Sequence, residues 1–391
     1  MQKKILINGA GRGCFNLTKT ANAMGLYTIV TGMAGPCIAL ANKTYRDVHP
    51  GHPDEVLQVA KEENVDAVVT CCNDMGLESV GYCCDALHLC GISRSAAKAS
   101  SDKLLLKTLL TKNNVRTARF CKIKNIDELK NAAKLLCFPV IVKATDLQGS
   151  RGITIVRDES LLKSAFEEAM SLTHKDYCIV EEFIEGKEFG AQAFVYKGEV
   201  LFVLPHGDEI FMGKTAVPIG HYMPYSINNV LEEDIVIQAK AAIKAVGLDN
   251  CAVNIDFIEK DNKAYIIELT GRGGANGLTD ITGRYFGINY YEMIIKMALG
   301  CDPREIFAKR KSSPMAAKST MIKSNANGIV HNLVVPTIEN VEINMFIHEG
   351  DSIRSFTNCN DAIGEIFVKG ESINDCDLLI ESAFSSLRVE I

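Results

Sequence analysis

The chain has no excess of positive charge: 42 Lys and Arg against 48 Asp and Glu give a formal net charge of −6 at pH 7. That balance excludes the basic footprint of a nucleic-acid binder. Long apolar runs are missing as well, and no stretch approaches the roughly 18 residues of a membrane span. Met1-Gln2-Lys3-Lys4, followed by Ile5-Leu6-Ile7, lacks the apolar core and cleavage site of a secretory signal. The N-terminus therefore reads as the first strand of a soluble, cytoplasmic domain. Despite 14 cysteines there is no C-x-x-C pair, and few of them have a histidine at metal-ligand spacing. Most lie in apolar contexts such as Leu135-Leu136-Cys137-Phe138, where a thiol acts as a small hydrophobe. Free thiols in a reducing compartment are expected. Internal repeats and low-complexity tracts are absent too.

What is present is ordinary globular material: 391 residues, 47% hydrophobic and 23% charged, enough for roughly two to four domains. Residues 1–101 alternate strands (Ile5-Leu6-Ile7, Tyr27-Thr28-Ile29-Val30, Ala67-Val68-Val69) with helices, which predicts a buried parallel sheet. In Gly9-Ala10-Gly11-Arg12-Gly13-Cys14 a cysteine occupies the third glycine of G-x-G-x-x-G, and no acid closes the second strand. This reads as a tight turn rather than a dinucleotide site. A second unit, 102–312, opens at Ser101-Asp102-Lys103, where the serine can cap a helix to Leu110. Leu129, Ala132, Ala133 and Leu136 mark an amphipathic helix, and Val140-Ile141-Val142-Lys143 is a strand. Paired strands at 189–196 and 200–204 and a helix at 231–246 lead to a hairpin. Residues 313–391 are strand-rich.

In the hairpin, Asp256 and Glu268 each sit among strand formers. A loop of Asp261-Asn262-Lys263 sets Lys260 opposite Ala264, Asp256 opposite Glu268, Asn254 opposite Thr270 and Ala252 opposite Arg272. A two-residue loop would move Glu268 to the other face. Like charges directly opposed repel. Two readings stay open: acids that simply face water, or a divalent cation between hard oxygen ligands.

Lys143 closes its strand ahead of Gly149-Ser150-Arg151-Gly152, a loop whose amides can approach phosphate oxygens. The plainer reading is a mobile hairpin with an exposed lysine. Glu181, Glu182 and Glu188 around Phe183-Ile184 suit a purine edge and a ribose, or a solvated rim.

Taken in order, Lys103, the strand-end Lys143 with its glycine loop, the acidic stretch 180–189, and Asp256 and Glu268 on paired strands resemble the ATP-grasp superfamily over essentially the whole chain. Within it the chain looks closest to amino-acid (dipeptide) ligases and stand-alone relatives of the carbamoyl-phosphate synthetase large chain. The resemblance implies an α/β ATP-grasp fold. A Rossmann-like pre-ATP-grasp domain spans 1–101, and an ATP-grasp domain with its lid subdomain at about 115–182 spans 102–312. A C-terminal α+β extension completes it at 313–391. It implies that Lys103 and Lys143 bind ATP phosphates under a flap of Gly149, Ser150, Arg151 and Gly152. Glu181, Phe183 and the backbone of Ile184 would form the adenine hinge, and Glu188 would hold the ribose. Asp256 and Glu268 would ligate Mg2+, with Mn2+ as a substitute. Arg272, with Lys143, would act catalytically, meeting the transferred phosphoryl and the acyl phosphate. Thr270 stands where relatives usually carry asparagine, and its hydroxyl can still touch the metal or its water.

The resemblance also sets 213–226 along a substrate pocket. His221 there either orients an amine and accepts its proton or is a structural histidine. Gly273 and Gly274 could offer amides to a carboxylate, with Arg284 nearby. The implied chemistry is phosphorylation of a carboxylate by ATP, then displacement of phosphate by an amine. Bicarbonate activation of the carboxylase or carbamoyl-phosphate type, and a regulatory nucleotide-binding module without turnover, are the alternatives. Partners are then a small carboxylate and an amine, with no nucleic acid or membrane, and a homodimer is compatible.

Overall fold

The computed structural model describes residues 2–33, 35–41, 44–147, 152–212 and 216–391. The first strands are β1 (Lys4–Asn8), β2 (Tyr27–Thr31), β3 (Thr44–Arg46) and β4 (Ala67–Val69), paired in parallel in the order β3-β2-β1-β4. Both faces of this sheet are covered. Leu6 enters one apolar core while Ile5 and Ile7 enter another, and all three are fully buried. That two-sided burial is why β1 reads as an unbroken apolar run.

A second sheet is antiparallel, built from β5 (Phe120–Ile123), β6 (Val140–Lys143), β7 (Ile153–Val156) and β8 (Cys178–Glu182) in the order β5-β8-β6-β7. Helix Ile126–Leu136 lays Leu129, Ala132, Ala133 and Leu136 into its core, the face the spacing predicted. The preceding helix, Lys103–Lys112, is capped by Asp102, whose carboxylate accepts the Leu105 amide at 3.0 Å. Ser101 instead ends the helix before it. The cap thus falls one residue later than expected, because Asp102 has the extended backbone a cap requires.

The largest sheet begins with β9 (Lys187–Tyr196), β10 (Glu199–Met212), β11 (Ala216–Met223), β12 (Cys251–Lys260), β13 (Lys263–Thr270) and β14 (Ala316–Ile322). The last segment adds β15 (Gly328–Ile329), β16 (Asn332–Val334), β17 (Val341–Met345), β18 (Ser352–Ile353), β19 (Gly364–Gly370) and β20 (Arg388–Glu390). The order is β13-β12-β9-β10-β11-β14-β19-β17, with β15–β18 and β16–β20 as two separate two-stranded sheets, so 313–391 continues the central sheet through β14 against β11. Helix Asn229–Val246 covers one face of the β12–β13 hairpin, where Ile255, Phe257 and Leu269 are fully buried. The opposite face is left for polar side chains.

The hairpin itself corrects the expected loop. Its turn is the two residues Asp261-Asn262, both at positive φ (53° and 56°), and Lys260 faces Lys263. Two such residues favour a tight primed turn that matches strand twist. A register shift between Asp256 and Phe257 then inserts one extra residue, Ile267, on β13. The bulge restores the face that the shorter turn would have lost. Asp256 therefore opposes Glu268, and Asn254 opposes Thr270.

Candidate active site

Directly paired residues share a face, so the registers trace one polar strip across the central sheet. Glu268 faces Asp256, Asp256 faces Gly190, and Gly190 faces His206. Two residues along β10, Asp208 faces His221, which faces Ser319. A parallel row sets Thr270 beside Asn254 and Asn254 beside Gln192.

Asp256 is half-buried, and its bonded partner is the Asn254 amide, at 3.1 Å. Burial, then the facing Glu268 and Asp208, push its carboxyl up to about 7, against a smaller pull from Arg272. Behind it runs a chain of amides: Gln192 donates to Asn254 at 2.6 Å, and the Gly274 amide donates to Gln192 at 3.0 Å. Glu268 receives Lys103 Nζ at 3.4 Å, and the same ammonium donates to the Leu147 carbonyl at 2.7 Å. Thr270 is buried with its hydroxyl unpartnered among the described residues.

Arg272 leaves the end of β13 and does not pair with either hairpin acid. Its Nε donates to Asp74 of the N-terminal unit at 2.5 Å, and Nη1 donates to the Gly273 carbonyl at 3.0 Å. Burial opposes loss of the Asp74 proton, yet Arg272 and then Lys103 hold that carboxyl below its ordinary range. Burial pulls the guanidinium pKa down, but Asp74 outweighs it and the net direction is up. The ladder stops at Asn254–Thr270, so the expected Ala252–Arg272 opposition does not form.

Lys143 is buried rather than exposed, which corrects the plainer reading of its loop. Its Nζ lies 3.0 Å from Glu181 Oε2, and Lys107 Nζ lies 3.1 Å from the same oxygen. All three side chains are less than a tenth exposed. Burial raises the Glu181 pKa, but Lys143 and then Lys107 outweigh it, and the carboxyl settles below its usual range. Glu181 Oε1 and the Thr145 hydroxyl are buried without partners among the described residues. Phe183 donates its amide to Pro139, Ile184 is buried, and Glu188 is exposed at the start of β9. Gly152, at φ 64°, lies at the β7 end of the loop; Gly149, Ser150 and Arg151 lie outside the described residues.

Among the substrate candidates, His221 Nδ1 lies 2.6 Å from Asp208 Oδ1. The Gly274 amide is already taken by Gln192, which corrects the idea that it is free for a carboxylate. Arg284 pairs with Glu342 and lines a cavity of about 440 Å³ with Asp280, Lys311 and Lys369. No hydrogen bond or ion pair joins it to the strip among the described residues. Sequence reasoning missed Lys107, Asp74, His206 and Asp208. Only the last two carried a signal, an H-x-D spacing that one face of a strand requires.

All fourteen cysteines are free, as expected. No helix among the described residues is long and apolar enough to cross a membrane.

Comparison with known proteins adds four relationships. A family model described as phosphoribosylglycinamide synthetase, ATP-grasp (A) domain, matches residues 101–254. The solved phosphoribosylglycinamide synthetase of Anaerococcus prevotii is 43% identical, with 100% of both chains covered and a TM-score of 0.89. An alanine–anticapsin ligase of Bacillus subtilis is 23% identical over 266 residues, 62% of this chain and 56% of that one. The biotin carboxylase domain dimer of Hydrogenobacter thermophilus 2-oxoglutarate carboxylase was solved with MgADP and bicarbonate. It is 18% identical, with a TM-score of 0.84 over 100% of this chain and 91% of that one. At that identity the likeness speaks for the fold alone. The chain spans about half the length of the curated relatives it matches.

Proposed function

Because the chain belongs to the ATP-grasp family, we propose that it is an ATP- and Mg2+-dependent ligase. It activates a small carboxylate, an amino acid, as an acyl phosphate and joins it to an amine, releasing ADP and phosphate. The observation that carries this reading is the Asp256–Glu268 pair. Two carboxylates oppose each other on one sheet face, Asp256 is destabilised as an anion, and among the described residues only Lys103 bonds to either as a cation.

The donor set fits Mg2+. Asp256 and Glu268 offer hard carboxylate oxygens, and the unpartnered Thr270 hydroxyl is a third oxygen in the adjacent row. When bound, Mg2+ would neutralise charge on the triphosphate and its leaving group.

The rest of the work falls to the chain. Lys143 and Lys107 set two ammonium groups against one carboxylate, so that buried trio draws a phosphate. Glu181 Oε1, bare and buried, suits the exocyclic amine of a purine beside Ile184. Two of the three Arg272 nitrogens are engaged, which leaves Nη2 for an oxyanion that gains charge as phosphoryl transfers. A planar fork held on one side by Asp74 is pre-oriented for that task. Phosphate then leaves the acyl carbon as the amine adds, which forms the amide.

The choice of an amino acid over bicarbonate follows the 43% identical relative, whose name denotes a glycinamide product. The decisive assay is a panel of amino acids and amines, scored by phosphate release and by product mass. Release that requires both an acid and an amine supports the ligase. Release with bicarbonate alone supports carboxylate activation of the other kind, and no release with tight ATP binding supports a regulatory module.

A further inference from the structure

We infer that His206, Asp208 and His221 form a second cation site, suited to a borderline divalent transition ion such as Zn2+ or Co2+ and separate from Asp256 and Glu268. The three donors come from two adjacent strands of the central sheet. His206 and Asp208 alternate along β10, and His221 opposes Asp208 on β11. Strands hold such side chains more firmly than loops do.

The spacing suits an ion. Tetrahedral bonds of about 2.1 Å put neighbouring donors about 3.4 Å apart. Asp208 Oδ1 lies 3.0 Å from His206 Nδ1 and 2.6 Å from His221 Nδ1, so the donors already converge and need to open by only about 0.4–0.8 Å to admit an ion. One donor atom from each residue lies within 4.8 Å of the others. The imidazole planes stand at 86° to each other, so the rings do not stack, and both Nδ1 atoms meet at one carboxylate oxygen. Two histidines and one carboxylate on one side of an ion leave its other positions open.

Electrostatics point the same way. Both imidazoles are more than nine-tenths buried, and Asp208 is bonded to these two rings rather than to a lysine or arginine among the described residues. The lysine on the neighbouring strand, Lys318, faces the other side of the sheet and is held by Glu209 and Asp377.

Binding an ion requires a change of tautomer. In the metal-free protein each Nδ1 donates to Asp208, and both Nε2 atoms are buried without a partner among the described residues. An ion at Nδ1 moves each proton to Nε2, a buried N–H whose desolvation the metal bonds must offset. Imidazole favours Zn2+ and its neighbours, whereas Mg2+ favours oxygen. The two cation sites therefore select different metals.

The test uses the full chain, stripped with EDTA and titrated with CoCl2 in a large excess of MgCl2, followed by visible absorption and equilibrium dialysis. We expect a Co2+ site that Mg2+ does not displace. H206Q and H221Q should each weaken it about 100-fold or more, while D256N should change it by only a few-fold. Because buried substitutions can unfold the sheet, the unsubstituted protein provides a second readout. Adding ZnCl2 should move the 15N imidazole resonances of His206 and His221 from the Nδ1–H to the Nε2–H tautomer. The inference is overturned if no Co2+ is taken up in excess Mg2+. Uptake that survives the double histidine variant, or that vanishes in D256N, overturns it too. So do rings that stay Nδ1–H in saturating Zn2+, and the trio is then a hydrogen-bonded brace.

Discussion

Asparagine at position 256 should make the metal-free protein more stable and, in the same step, inactive. Burial first, then Glu268 and Asp208, raise the Asp256 carboxyl from its ordinary 3.8 to about 7. At about 1.4 kcal/mol per pH unit, that gap corresponds to about 4 kcal/mol. The sign follows from which state holds the proton. Below about pH 4 the acid is protonated in both folded and unfolded chains and costs nothing. Between about pH 4 and 7 the unfolded chain ionises first, so stability falls as pH rises; above about 7 the loss is complete. D256N removes that loss. Since the site is half-buried and partly screened, we expect a gain of about 2–4 kcal/mol at about pH 8 and less than half of it at about pH 5. The chain has no tryptophan, so far-UV circular dichroism in EDTA is the suitable melt, with ATP turnover measured on the same preparation. Mg2+ should then raise the melting temperature of the unsubstituted protein more than that of D256N. A D256N protein that melts at or below the parent at about pH 8, or gains equally at both pH values, would refute the reasoning.

Lys143→Ala should weaken ATP binding measured by calorimetry with Mg2+ present, because Lys107 alone then answers Glu181 and no ammonium is left over for phosphate; unchanged affinity would count against the assignment. Arg272→Lys should lower turnover by roughly 10²–10³ with nucleotide affinity little changed, since lysine cannot keep the Asp74 contact and also present a second nitrogen. A variant that melts early yet keeps its turnover would reduce Arg272 to a structural counter-charge for Asp74. In Gly190→Ala, the new Cβ would stand 2.3 Å from Cε1 and Nε2 of His206, a ring that Asp208 holds and the sheet buries. It should cost about 1–3 kcal/mol in a melt, and an unchanged melt would mean that the ring swings away freely.

Much of this site was legible because strand alternation and charge type are local. Asp256 and Glu268 were expected face to face, and they are. The route was different: a two-residue turn and a bulge replace one three-residue loop. The turn was readable in Asp261-Asn262, residues that tolerate positive φ, but nothing local marks Ile267 as the extra residue. His206 and Asp208 were missed because β10 was expected to stop near Leu204, whereas it runs to Met212. Its later half is polar and becomes strand only by pairing with β11. Lys107 carries no local sign at all. It sits in Lys103-Leu104-Leu105-Leu106-Lys107, and the distant Glu181, with the Thr117 hydroxyl, makes its burial tolerable. Asp74 was equally hidden, because its partner lies 198 residues further along the chain.

The bulge of the β12–β13 hairpin has a consequence for how this chain can vary. Ile267 has no opposite number in the ladder, so it is a spare residue. Deleting one residue between Asn262 and Glu268 can be absorbed by losing the bulge, since Glu268 then still pairs with Asp256 across the tight turn. Deleting two would set Glu268 opposite Phe257 and turn it toward the helix side of the sheet. Single deletions in this segment should therefore be tolerated and double ones rejected, which makes the spacing between turn and acid a sharper constraint than the identity of any residue between them.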